Sequence, residues 1–180
     1  TNNKKQNTDK KYNISYMWWK IPIQQYTGNM IKGKWKDYQS KDIDTNKNHG
    51  VLTGKINNIT GVDLDFYKHT KEELYSIEST KNFIELFGEE PTWDTYTVRT
   101  KSGGLHYYFE YEPEVKQTQD NPSKIDIRSN GGFLYGAGTK VTKGDKQGEY
   151  ICINNKQPIK MPEDLKQFLL ENLYTKRKKT

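Results

Sequence analysis

Residues Thr60–Lys68 read TGVDLDFYK, with Val62, Leu64 and Phe66 alternating against Asp63 and Asp65. Successive side chains of a strand point to opposite faces, and residues two apart share a face at about 6.6 Å. The segment is therefore predicted to be a strand whose apolar residues face a core while both carboxylates stand together on the other side. Like charges held side by side cost free energy unless a cation lies between them. The stretch thus predicts a half-buried sheet and a positively charged partner for its polar face.

Further strands surround it. HGVLTGKINNITGVDLDF reads as two strands joined by a turn at KINN, and TYTVRT and LHYYFEY as two more around KSGG. The polar loop EPEVKQTQDNPSK leads to IDIRS, the turn SNGG leads to FLYGA, and GEYICIN reads as a last strand. One helix is predicted from a capping box at Thr70 and Glu73, with Leu74, Ile77, Ile84 and Phe87 at helical spacing and Gly88 as its stop. MPEDLKQFLLENLY is predicted to be a final helix, with Pro162 in its first turn and Leu165, Phe168, Leu169 and Leu173 as its apolar stripe. Toward the N-terminus, ISYMWWKIPI is a buried strand or short helix ending at Pro22, and GKWKDYQSKDI a loop entering a short helix. No internal repeat is visible. Many strands with few helices give an α+β class with a mostly antiparallel sheet and a helix on one face.

The 180 residues suit one domain, or one domain with an appendage: a disordered basic segment at 1–11, a main domain at 12–160, and a C-terminal helix and basic linker at 161–180. Lys and Arg number 29 against 23 Asp and Glu, a net charge of +6 that suits a polyanionic partner or simply a lysine-rich surface. The single Cys152 excludes an internal disulfide and a cysteine-rich zinc site, and fits a reducing compartment. No apolar run is long enough to span a membrane, and TNNKKQNTDKK is not a signal peptide, so an intracellular, non-secreted protein is expected.

Three segments place reactive groups on one non-core face. Asp63 and Asp65 share a strand; His106 opposes Leu105, Tyr107 and Phe109 just after a glycine turn; Asp126 and Arg128 oppose Ile125 and Ile127. Three carboxylates are hard oxygen ligands for Mg²⁺ or Mn²⁺. Two such ions about 3.5–4 Å apart would stabilise the attacking and leaving oxygens of an in-line phosphoryl transfer, and would answer the repulsion between Asp63 and Asp65. His106 and Arg128 are donors suited to triphosphate oxygens, and Ser102 with the backbone N–H groups of Gly103 and Gly104 forms a candidate anion-binding concavity. Singly these features are commonplace on solvated strands; their conjunction points to chemistry.

The order G-V-x-T-G, V-D-L-D, T-K-S-G-G-L-H-Y-Y-F and I-D-I-R-S-N-G-G-F, with GKWKDY before it, resembles the primase-polymerase domain of the archaeo-eukaryotic primase superfamily. It is most similar to the viral and plasmid forms that usually precede a helicase domain, over about Lys32 to Tyr150. The resemblance implies an RRM-like catalytic sheet with flanking helices plus an N-terminal α/β unit, with the active site in the cleft between them. It implies template-directed addition of NTPs or dNTPs on single-stranded DNA, with a C-terminal helicase domain in the full-length protein, at a site of viral or plasmid DNA replication. Asp63, Asp65 and Asp126 would bind the metals; His106, with Ser102, Gly103 and Gly104, would hold the nucleotide phosphates; Arg128 would lie near the nucleotide or the template strand; Lys34, Trp35 and Lys101 would meet the template. The second acidic position is Asp65 where some relatives have Glu, and no zinc element is possible with one cysteine.

Two other classes compete. A non-catalytic single-strand-binding module on an RRM-like sheet would carry aromatics on its open face, where this sequence puts Asp, His and Arg. A metal-dependent nuclease needs only the carboxylates. A replication nickase needs two histidines two residues apart, and the histidines are at 49, 69 and 106. A D-x-D sugar transferase has no role for the later Asp–Arg–Gly–Gly element.

Overall fold

The computed structural model describes residues 13–174. The segment at 1–11 and the basic run at 176–179 lie outside the described residues. In chain order the elements are a 3-10 turn at Ile14–Met17, β1 (Lys20–Pro22), a 3-10 turn at Trp35–Tyr38, β2 (His49–Leu52), β3 (Ile59–Leu64), α1 (Lys71–Tyr75) and α2 (Glu78–Phe87). There follow β4 (Tyr96–Arg99), β5 (Leu105–Glu110), β6 (Ile125–Arg128), β7 (Phe133–Tyr135), β8 (Lys140–Val141), β9 (Gly148–Glu149), β10 (Ile151–Asn154) and α3 (Glu163–Asn172). The class is α+β, as expected. No helix among these is long and apolar enough to cross a membrane.

The main sheet has five antiparallel strands in the order β10-β4-β5-β3-β6. TGVDLDF lies near its middle, where period-two alternation sorts side chains to two faces. Val62, Leu64, Leu105, Tyr107, Phe109, Ile125 and Ile127 pack with Leu74, Phe83 and Ile84 of α1 and α2 and with Leu165, Phe168 and Leu169 of α3. The helix after position 160 therefore shares this core.

The opposite face is not open. Ile59, Tyr96, Val98 and Tyr108 pack with Trp18, Val51 and Leu134 in a second core. A three-stranded sheet, β1-β2-β7, supplies much of that cover. The expected non-core face is thus a second buried interface, because covering residues arrive from positions 18, 51 and 134, far from β3 in sequence. Gly61 makes the close approach possible: a Cβ there would lie 2.6 Å from Leu134 Cδ1.

Several local expectations need correction. HGVL and ITGVDL are two strands joined by a turn at 55–58, as expected, but they enter different sheets, β2 the covering one and β3 the main one. What joins them is a tight closure, with N–H···O bonds from Gly54 to Ile59 and back at 2.6 and 3.0 Å. The predicted helix after Thr70 is broken: Ser76 ends α1 and Ile77 begins α2. Thr70 Oγ1 does accept the Glu73 N–H at 3.1 Å, but the Glu73 carboxylate meets His69 Nδ1 at 3.0 Å instead of closing a capping box. GEYICIN is split at Tyr150 between β9 and β10. Pro162 stands at the N-cap of α3, one position before its first turn.

Gly54 is the pivot between the two layers. Its φ is +92°, and a Cβ would lie 2.6 Å from the Asn130 backbone. Strain at such a φ costs about 1–3 kcal/mol for a non-glycine residue, and the clash adds to it. Gly54→Ala is expected to lower unfolding stability by at least about 2 kcal/mol in urea titration. A loss under about 0.5 kcal/mol, the range of ordinary surface changes, would show that this joint does not hold the layers.

Candidate active site

The main sheet extends past its cover at the end where β3 finishes, and a cleft of about 480 Å³ opens there. Asp63 stands on β3 directly between His106 of β5 and Asp126 of β6. Asp63 Oδ1 lies 3.4 Å from His106 Nε2, with the aspartate side chain a quarter exposed and the histidine 8% exposed. His106 Nδ1 is buried without a hydrogen-bond partner. Asp65 falls one residue beyond the end of β3, although its N–H still reaches the Lys124 carbonyl at 3.0 Å. Its carboxylate pairs with Lys68 Nζ at 3.0 Å. The two carboxylates thus line one cleft, each with a basic side chain beside it.

Burial pushes the Asp63 carboxyl up, but His106, Arg128 and Lys68 outweigh it and hold the group below the ordinary aspartate value. Asp63 is therefore ionised at neutral pH. A depressed carboxyl contributes stability above its unfolded value, and that contribution disappears as pH falls through the folded one.

The remaining predicted residues divide. Ser102 and Arg128 line the cleft, and Arg128 also donates to the Thr118 carbonyl at 2.8 Å. Trp35 lines the cleft too, packed edge-on against Phe133 at 5.5 Å. Asp126 lies beside Asp63 in register but is not on the cleft wall; its Oδ1 accepts from Thr118 Oγ1 at 2.8 Å and from the Asn121 N–H at 3.1 Å. The Gly103 and Gly104 N–H groups close their own turn, donating to the Thr100 carbonyl at 3.0 Å and Thr100 Oγ1 at 2.9 Å. The expected backbone anion concavity is therefore not formed, because Thr100 takes both donors. Lys101 reaches the Lys146 carbonyl at 2.9 Å and stands outside the cleft, as does Lys34.

Other wall residues escaped the sequence reading. Gln117, Thr118, Gln119 and Asp120 belong to the loop read only as polar. That loop folds back on β6, with Thr118 N–H donating to the Ile127 carbonyl at 3.0 Å and Gln117 Oε1 accepting from Ser129 N–H at 2.8 Å. Tyr135 and Tyr150 also line the cleft. No spacing signal marks any of these. Lys68 could have been found, since Lys three residues after Asp in the same stretch reaches it.

Among the described residues no group of three or more His, Cys, Asp or Glu side chains is gathered to hold a metal ion. Asp63 and Asp65 still fit a hydrated hard cation. Mg²⁺ keeps several waters and is commonly bound by one or two carboxylates plus substrate phosphates, and this cleft is open and polar enough for both.

Residues 2–164 match the Prim-Pol family model, described as bifunctional DNA primase/polymerase, N-terminal. No curated protein matches the chain.

Proposed function

The chain belongs to the Prim-Pol family of DNA primase/polymerase domains, and on that premise we propose that its cleft adds nucleotides to a DNA-templated strand by two-metal phosphoryl transfer. The observation that carries this reading is the pair Asp63 and Asp65 in one cleft with His106, Lys68 and Arg128. Carboxylates alone would repel a triphosphate; a mixed wall of carboxylates and cations suits a metal-bound one.

In this proposal Asp63 and Asp65 hold Mg²⁺ or Mn²⁺. Asp126, opposite Asp63 but off the cleft wall, is the proposed third ligand, and its bonds to Thr118 and Asn121 are of the kind that orient a ligating carboxylate. When bound, the ions supply charge stabilisation at the attacking and leaving oxygens. His106, held by burial with its Nε2 beside Asp63, is the proposed donor to the phosphates once the carboxylate binds a metal. Arg128 and Lys68 draw the triphosphate in, and Ser102 offers a hydroxyl at the same wall. Trp35, exposed to the cleft and to an adjoining groove with Lys36 and Asn130, is the proposed contact for the template. A helicase domain joined to this one, in viral or plasmid replication, is the proposed partner.

The test is incorporation on single-stranded DNA, with and without an annealed primer, in Mg²⁺ and in Mn²⁺. Metal-dependent extension is expected on the primed template, and the unprimed lane reads initiation. Strand cleavage without incorporation would select the nuclease reading, and tight metal-independent strand binding without incorporation would select the binding module.

A further inference from the structure

The cleft has two unlike ends. At one end Asp63 meets His106 and Asp65 pairs with Lys68; from His106 a run of touching rings, Tyr150, Tyr135, Phe133 and Trp35, leads to the other. A nucleoside triphosphate is built the same way, with charge at one end, an aromatic base at the other and the sugar between. Tyr150 lies where the two ends meet. Its ring stacks on His106 at 6.2 Å and 27°, and tilts against Tyr135 at 5.3 Å. Its backbone is fixed on both sides, with its N–H donating to the Thr139 carbonyl and its own carbonyl accepting from Gly138, each at 2.9 Å. The residue is 6% exposed.

Its hydroxyl is the notable group. Tyr135 Oη donates to the Gly28 carbonyl at 3.1 Å and Tyr107 Oη to the Pro91 carbonyl at 2.6 Å. Tyr150 Oη has no protein hydrogen-bond partner among the described residues. Unlike the enclosed Tyr108 Oη, this unpaired hydroxyl is not sealed in the core, and the residue lines the cleft, so Oη is open to a ligand there. Burial, with Tyr135 and Asp63 nearby, pushes the phenol above its ordinary value, so it stays a neutral donor.

We propose that Tyr150 reads the sugar of the bound nucleotide through a hydrogen bond to its 2′-hydroxyl, which makes ribonucleoside triphosphates the preferred substrate class of this cleft. This rests on the nucleotide-transfer reading above. In the orientation proposed, with phosphates toward Asp63 and base toward Trp35, the 2′-hydroxyl, attached next to the base-bearing carbon, is the sugar hydroxyl nearer the aromatic end. A site that bonds a substrate hydroxyl rejects the analogue lacking it, because the protein group is left unpaired.

The test is calorimetric titration of the full chain and of Tyr150→Phe with ATP and with dATP in Mg²⁺, alongside incorporation of the same two nucleotides. Phenylalanine keeps the ring between His106 and Tyr135, so the variant should melt with the wild type. Wild type is expected to bind ATP more tightly than dATP. Tyr150→Phe should weaken ATP by about tenfold, the worth of one hydrogen bond, and dATP by less than about twofold. Equal effects on both nucleotides, no effect on either, or a wild type that prefers dATP overturns the proposal. Binding with sugar discrimination but no incorporation would retain Tyr150 as the sugar reader and remove the transferase reading. No binding of either nucleotide would remove both.

Discussion

Asp63→Ala is expected to lower primed nucleotide incorporation by about 10³-fold or more, while leaving the protein folded. The carboxylate stands between His106 and Asp126 in the strand register and is ionised under the combined pull of His106, Arg128 and Lys68. In the proposed mechanism it holds the ions that stabilise charge on the reacting oxygens, an effect worth several kcal/mol, and each 1.36 kcal/mol is about tenfold in rate. Stability should change little. The variant loses a 3.4 Å contact with His106 but also removes one of two neighbouring carboxylates. Single-nucleotide extension at saturating substrate is the measurement. A variant extending within about tenfold of wild type would sink the metal assignment, and unaltered melting would show that the loss is chemical.

The largest stability effect is expected at Phe83. It is fully buried, and its ring meets Phe66 at 5.6 Å, Phe87 at 5.0 Å, Phe168 at 5.5 Å and Trp93 at 6.4 Å. These partners come from the segment after β3, from α2, from the stretch before β4 and from α3, so one ring joins all the pieces that cover this face of the sheet. Deleting it leaves a cavity no single neighbour can fill. Phe83→Ala should cost about 3–5 kcal/mol, or roughly 6–20 °C in Tm for a chain of this size. A urea midpoint equivalent to less than about 1 kcal/mol would mean that the core collapses around the gap and that α3 is not anchored through this ring.

The alternation in TGVDLDF and LHYYF set the main sheet correctly, because period-two patterning is local. It also placed Asp63 and His106 side by side, since both lie opposite apolar residues in strands that do pair. What escaped the sequence was non-local. Tyr108 and His106 occupy the same face of β5, yet Tyr108 is buried under Trp18 and Leu134 while His106 reaches the cleft edge; only the extent of the covering sheet distinguishes them. The fate of the Gly103 and Gly104 donors depended on Thr100, a side chain that a turn motif does not specify. The Gln117–Asp120 wall depended on a loop folding back on β6, which no periodicity encodes. Tyr150 was read as one strand residue among several, although the break at that position directs it into the cleft.

The two short connections between the layers have a mechanical consequence. Thr53 N–H donates to the Gly132 carbonyl at 3.0 Å, Thr53 Oγ1 to the Ser129 carbonyl at 2.7 Å, and Lys55 N–H to Asn130 Oδ1 at 2.8 Å. The chain passes from the covering sheet to the main sheet at the first connection and back at the second, and these bonds clamp the two crossings together beside the cleft. Hinged jaws need a few residues free to absorb large backbone rotations; here the crossing residues are locked to one another. The layers therefore act as a fixed frame. Discrimination between substrates falls to the fit of side chains within a pre-formed gap rather than to the two sheets swinging apart.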